Sequence, residues 1–185
     1  RGCGPDGICG ESNNSKIADQ GLRFLFVEFL AIMRYWLMKS EPNEFSIDDL
    51  ARAPRQSTAW FGVRNYQARD FMRDQMQAGD PVLFYHSSCP EPGIAGLAEI
   101  CAKAYPDETQ FDRKSKYCDA KSTRENPRWV NVEVKFARRT RPLGLAELRV
   151  HKQLAGMRLL ARGNRLSITP VAPGEWKFIT TELLK

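Results

Sequence analysis

The chain has 185 residues, with 28 Lys and Arg against 22 Asp and Glu, so its formal charge is 28 − 22 = +6. An apolar share of 42% and a charged share of 27% are those of an ordinary globular chain and exclude wholesale disorder. No apolar run reaches the about 18 residues that a membrane-spanning helix needs, since the longest, Leu22 to Met33, is broken by Arg23 and Glu28.

Residues 1–21 are rich in Gly, Ser, Asn and Asp and show no apolar period, which reads as loop or disorder. Met33 reads as the natural start, so residues 1–32 are expected to be a leader or disordered extension and residues 33–185 the folded domain. The alternative is an extension that packs through Phe24, Phe26 and Phe29. Because 1–32 holds three basic and four acidic residues, the rest of the chain is +7, and the basic character belongs to the domain.

From Met33 onward the elements follow in order. Arg34 to Lys39 is short, aromatic and apolar, as a buried strand is, and Pro42 ends it. Ser46 and Asp49 form a capping-box pattern ahead of a helix over Ile47–Ala53, which Pro54 closes. Asn65 is placed to cap a helix from Tyr66 to about Ala78, with Ala68, Phe71, Met72 and Met76 at helical spacing. Gly79-Asp80-Pro81 turns the chain into a strand, Val82–Ser87, with Val82, Phe84 and His86 facing one way and Leu83, Tyr85 and Ser87 the other. Ile94–Tyr105 reads as a strand, 106–127 as a long polar loop, and Trp129–Phe136 as a half-buried strand with its valines inward. Pro142–Leu160 predicts one or two helices, Arg165–Val171 a strand, and Gly174–Leu184 a terminal turn or helix. Five strands that do not alternate regularly with helices predict an α+β fold with a mostly antiparallel, barrel-like sheet. Neither Gly-rich phosphate-loop pattern occurs.

Five cysteines (Cys3, Cys9, Cys89, Cys101 and Cys118) at irregular spacing are no disulfide framework. Without a C-x-x-C pair, and with His86 and His151 far apart, no metal or cofactor is expected. Reduced thiols fit a cytoplasmic protein, or a nuclear one in a eukaryote.

The densest candidate segment is Trp60 to Arg69. Its aromatics can stack a base, Arg64, Asn65 and Arg69 can bond phosphates or base edges, and Gly62 allows close backbone approach. Those residues read equally well as a core pair, Trp60 and Phe61, beside a solvated face of Arg64 and Arg69. Lys39, Ser40 and Glu41 are a polar cluster after a buried strand, readable as a ligand edge or as a plain turn. His86 could be a base or a structural hydrogen-bonder, and no second acid at recognisable spacing supports catalysis. The positive charge implies an anionic partner without specifying its sequence.

Tyr35-Trp-Leu-Met-Lys-Ser-Glu-Pro42, Trp60-x-Gly-Val-Arg-Asn-Tyr-Gln-Ala-Arg69, Gly79-Asp80, Phe84-Tyr-His-Ser87, Gly93-Ile94, Ala104-Tyr-Pro-Asp-x-Thr109 and Arg165-Leu-Ser-Ile-x-Pro-Val171 together resemble the EVE domain family, over about Met33 to the C-terminus. The resemblance implies a PUA-like fold, a mixed sheet rolled into a pseudo-barrel with helices inserted between strands. It also implies a module that reads a modified base, foremost modified cytosine in DNA, flipped into an aromatic and polar pocket. The alternatives are an RNA-binding PUA-like module and an enzyme acting on a modified nucleotide. By that resemblance Lys39, Ser40 and Glu41 edge the pocket, and Trp60 is the stacking indole. Gly62, Val63, Arg64, Asn65 and Tyr66 form its floor, and Tyr85, His86 and Ser87 its opposite wall. Arg64, Arg69, Lys114, Lys116 and Lys121 are expected on phosphates. The family's second motif commonly has Asp after the Trp, where this chain has Phe61. The expectation is a monomeric DNA binder without turnover and without a membrane role.

Overall fold

A computed structural model describes residues 33–185. The expectation of a leader over 1–32 lies outside the described residues.

The first strand, β1 (Tyr35–Ser40), carries Trp36, Leu37 and Met38, all fully buried. Alternation sends Trp36 and Met38 into one apolar cluster and Leu37 into another, so β1 is covered on both faces. It pairs in parallel with β3 (Pro81–His86) and antiparallel with β6 (Ile168–Val171). The predicted alternation of the Val82–Ser87 strand is what the structure shows: Val82 and Phe84 enter the first cluster, Leu83 and Tyr85 the second.

Two helices lie between β1 and β3. Helix α1 (Ile47–Arg52) starts at the predicted capping box: Ser46 Oγ accepts from the Asp49 N–H at 3.1 Å, and an Asp49 oxygen accepts from the Ser46 N–H at 2.9 Å. Helix α2 (Tyr66–Asp70) passes into one π turn, Phe71–Gln75, closed by the Met76 N–H on the Phe71 carbonyl at 2.9 Å. The wider turn lets Met76 leave in an extended conformation, so the helix ends at Gln75, three residues before the predicted Ala78.

The sheet has six strands in the order β2 (Ser57–Ala59), β5 (Val130–Gly144), β4 (Gly93–Pro106), β3, β1, β6. The strand the sequence did not announce is β2 (Ser57–Ala59), three small residues with no apolar alternation, paired antiparallel with β5. Strands β4 (Gly93–Pro106) and β5 (Val130–Gly144) form the long central hairpin, with several bulges. Strand β5 runs past the predicted end at Phe136. Residues 142–144, expected to open a helix, stay in the sheet because fully buried Leu143 pairs with Ile94 and Gly144 with Gly93. Helix α3 (Leu145–Arg149) follows, and α4 (Pro173–Phe178) ends the chain with a further π turn over Ile179–Leu183. The fold is the predicted α+β type, a mixed sheet with helices inserted between strands. No ladder joins β2 to β6 among the described residues, so hydrogen bonds do not close the sheet.

Residues 106–127, read as a polar loop, are tightly organised at both ends. Buried Gln110, in a one-turn 3₁₀ helix (Glu108–Gln110), uses its whole side-chain amide. Its Nε2 donates to the carbonyls of Asp107 (2.8 Å) and Trp129 (2.9 Å), and its Oε1 accepts from the N–H groups of Arg128 (2.9 Å) and Trp129 (3.0 Å). A buried amide satisfied in this way ties the departure of the loop to its return.

Candidate nucleic-acid interface

One cavity of about 530 Å³ opens where the end of β1, the β2–α2 connection and residues 116–117 converge. That volume suits a ligand of nucleobase or nucleoside size. Lys39, Ser40, Glu41, Trp60, Gly62, Val63 and Arg64, residues that the resemblance assigns to a base pocket, line it together with Glu44, Phe45, Phe61, Lys116 and Tyr117, among others.

Each wall has a local cause. Ser40 Oγ donates to the Phe45 carbonyl at 2.6 Å, and the Glu41 carbonyl accepts from the N–H groups of Glu44 and Phe45, both at 2.9 Å, so the turn after β1 is locked. The Lys39 N–H holds the Ser167 carbonyl at 2.8 Å, and burial alone pushes the Lys39 amine below the ordinary lysine value. On the facing wall the Trp60 N–H donates to the Val132 carbonyl at 2.8 Å. Its indole, partly exposed, meets Phe84 edge-on with centroids 5.5 Å apart. The inner part of the ring is thus anchored in the core while the residue still borders the cavity.

The third wall depends on Asp107, fully buried. Its carboxylate accepts from the Gly62 N–H (3.1 Å), Arg64 Nη1 (2.8 Å), the Thr109 N–H (2.9 Å) and the Thr109 hydroxyl (2.6 Å). Burial would raise this carboxyl, and the four hydrogen bonds together bring it below the ordinary value. Arg64 also donates from Nε to the Tyr117 carbonyl at 2.9 Å and from Nη2 to the Thr109 hydroxyl at 3.1 Å. Tyr117 thereby rests against Gly62, whose φ is +79° and where a Cβ would stand 2.6 Å from Tyr117 Cζ. Glycine is required twice, by the dihedral and by the ring.

Several expected site residues stand elsewhere. Asn65 Oδ1 caps α2 by accepting from the Ala68 N–H at 3.1 Å. Tyr66 stacks on Trp129 with centroids 5.0 Å apart, outside the cavity. Tyr85 is buried in the cluster on the other side of the sheet. His86 borders a different hollow, beside Asp48, Glu91 and Arg139, and its Nε2 accepts from the Ile47 N–H at 3.1 Å. Burial lowers its pKa against the raising effect of Asp48 and Asp49. Ser87 supports the site from behind, its N–H donating to the Ser40 carbonyl at 2.8 Å. The two arginines assigned to phosphates are engaged within the fold: Arg64 as above, and Arg69 with Asp70 (2.6 Å) and over the Tyr66 ring at 4.7 Å. Lys114 and Lys121 are exposed, whereas Lys116 pairs with Glu44 at 2.6 Å.

Sequence reasoning missed Asp107, Tyr117 and Trp129 as organisers. Asp107-x-Thr109 carried a signal, since an Asp accepting from the N–H two residues on is a standard turn pattern. Trp129, placed with the polar face of its strand, is buried and donates from Nε1 to Asp119 at 2.7 Å.

Of the three cations that line the cavity, Arg64 is paired with buried Asp107, Lys116 is in an exposed pair with Glu44, and Lys39 is partly buried at the end of β1. Trp60, Phe61 and Tyr117 add aromatic surface to these charged and polar groups. This defines an α+β domain with an aromatic and polar cavity between the two ends of a mixed sheet, lined by β2 from one end and by the end of β1 from the other. The EVE domain matches residues 34–182, and the chain belongs to the EVE domain family. It is 45% identical over 163 residues to thymocyte nuclear protein 1 of Gallus gallus, covering 78% of this chain and 66% of that protein. With the Homo sapiens protein of that name it is 45% identical over 163 residues, covering 78% and 72%. Among solved structures, a Pseudomonas syringae protein superimposes with TM-score 0.75 at 49% identity, over 79% of this chain and 97% of that one. Human THYN1 protein, crystallised in complex with 5-methylcytosine-containing DNA, superimposes with TM-score 0.74 at 46% identity, over 79% and 95%. Among the described residues no helix is long and apolar enough to cross a membrane.

Proposed function

We propose that this domain binds DNA and takes a modified base, foremost a modified cytosine, out of the helical stack into the cavity beside Trp60. The observation that carries this reading is the Trp60 indole, anchored in the core yet bordering a cavity of about 530 Å³. Stacking on an aromatic face is worth roughly 1–3 kcal/mol per base and offsets much of the cost of extrusion. Lys39, Ser40 and Glu41 line the same cavity, which supports a role for them at the base edge. The human relative's complex with 5-methylcytosine-containing DNA supports the choice of ligand. The reading takes the domain to bind without turnover: His86 lies outside the cavity with Nε2 occupied, and Glu41, which lines the cavity, is read as an acceptor for the base edge. A DNA partner puts the protein in the nucleus of a eukaryotic cell or the cytoplasm of a bacterial one.

The test is titration of oligonucleotides bearing cytosine, 5-methylcytosine or 5-hydroxymethylcytosine, with wild type, Trp60→Ala and a Lys114→Glu/Lys116→Glu/Lys121→Glu variant. Preference for a modified base, lost in Trp60→Ala by roughly 5- to 150-fold in affinity, is expected. Equal affinity for all three oligonucleotides refutes the reading. Strong loss only on charge reversal, with Trp60→Ala neutral, shifts it to backbone binding of RNA or DNA by the outer surface.

A further inference from the structure

Phe61 has no part in holding a base as described above, yet it is the most conspicuous side chain at the cavity mouth. It follows Trp60 directly and borders the same cavity, but it is 53% exposed where Trp60 is anchored inward. Nor is it loose. Its ring meets Tyr117 edge-on, centroids 6.0 Å apart and planes at 76°. Tyr117 is pressed against Gly62, its carbonyl is held by Arg64, and Arg64 and the Gly62 N–H are both fastened to buried Asp107. That closed circuit fixes the backbone on the C-terminal side of Phe61, and the Trp60–Val132 hydrogen bond fixes the N-terminal side. The outcome is a stiff apolar knob projecting into solvent beside a base-sized hollow. Tyr66, the other exposed aromatic nearby, is by contrast covered by Trp129, with Arg69 over its ring.

A base drawn from a duplex leaves a gap between its former neighbours. Apolar side chains that enter such a gap restore part of the lost stacking and hold the duplex open. We infer that Phe61 is this wedge: its ring enters the DNA stack where the base has left, while Trp60 holds the base itself. The inference deepens the base-reading function proposed above and rests on it. Two consecutive aromatics, one turned to the core side of the cavity and one to solvent, divide the two halves of a single extrusion.

Phe61→Ala and Phe61→Leu are compared with wild type on one modified sequence, presented as duplex and as single strand. A duplex has a gap to fill, whereas a flexible single strand closes on its own. Phe61→Ala is expected to lower the ratio of duplex to single-strand affinity by roughly 5- to 150-fold, the range for one aromatic–base stack, with Phe61→Leu in between. Loss of affinity by the same factor on both substrates overturns the wedge, because Phe61 is then only cavity wall. An unchanged ratio with no loss overturns it too. Trp60→Ala run in parallel separates the two readings: if it leaves single-strand binding intact, base capture beside the indole has failed, whatever Phe61 does. Phe61 is exposed, and a thermal melt checks that both of its variants are folded.

Discussion

Replacing Asp107 tests whether the cavity wall depends on one buried carboxylate. In Asp107→Asn the amide nitrogen takes the place of one oxygen. Oδ2 serves the Gly62 N–H and Arg64 Nη1, and Oδ1 serves the Thr109 N–H and hydroxyl. Either way round, an NH₂ group faces donors, and the Arg64 guanidinium, with only 22% of its side chain exposed, loses its counter-charge. Breaking a buried pair by removing one partner costs about 3–5 kcal/mol. Arg64 keeps the Tyr117 carbonyl and some water, so the lower end, about 3 kcal/mol, is expected. For a domain of this size that is a fall in melting temperature of roughly 6–12 °C. Urea unfolding gives the free energy and oligonucleotide titration the affinity, measured at a temperature where the variant is folded. Both should fall, because Tyr117 and the backbone around Gly62 lose their common anchor. A variant within about 0.5 kcal/mol of wild type, the scale of an ordinary surface substitution, refutes the reasoning about the wall. A destabilised variant with unchanged affinity refutes its link to binding.

Gly62→Ala sets a Cβ against the Tyr117 ring at a positive φ, and should cost about 1–3 kcal/mol by urea unfolding while displacing Tyr117 from the cavity mouth. Acid should destabilise in two windows. The His86 pKa is lowered, so its contribution is complete above about pH 6.5 and is lost as pH falls toward the folded value; His86→Gln should remove this upper step. The Asp107 carboxyl is also lowered, so its contribution is lost only below about pH 4, as pH falls through its folded value. For Lys39, a lowered amine pKa means that its charge is lost before that of an ordinary lysine; as pH rises, affinity for the modified oligonucleotide should fall earlier than loss of an ordinary lysine charge would dictate, and Lys39→Met should abolish that part of the pH dependence.

The elements that could be read from the sequence are those in which one short-range pattern has one physical outcome. The Ser46–Asp49 box fixes the start of α1 because both partners lie within one turn. The alternation of Val82 to Tyr85 divides two cores because successive side chains in a strand point to opposite faces. What was hidden depends on partners distant in sequence. Ser57–Ala59 is a strand only because β5 is there to pair with it. Arg64 and Asp107 are 43 residues apart, and nothing in the Trp60–Arg69 segment shows that its first arginine is neutralised by a buried acid rather than free for a phosphate. The same limit explains His86: at the end of an apolar strand it resembles a site residue, and only the position of the α1 N-terminus shows its acceptor to be occupied.

These hidden partners bear directly on specificity. A cavity lined by free arginines would attract any phosphate and bind every nucleic acid nearly alike. Because buried Asp107 neutralises Arg64, the guanidinium is withdrawn from the cavity, which keeps Trp60, the hydrogen-bonding groups of Ser40 and Glu41, and the Lys39 amine. Discrimination then has to come from the shape and edge of the heterocycle, where an unpaired buried polar group is costly. On the proposed reading, the long-range ion pair that the sequence could not reveal therefore does more than brace a loop: it withdraws a guanidinium that would otherwise hold any phosphate, and leaves selection to the base edge.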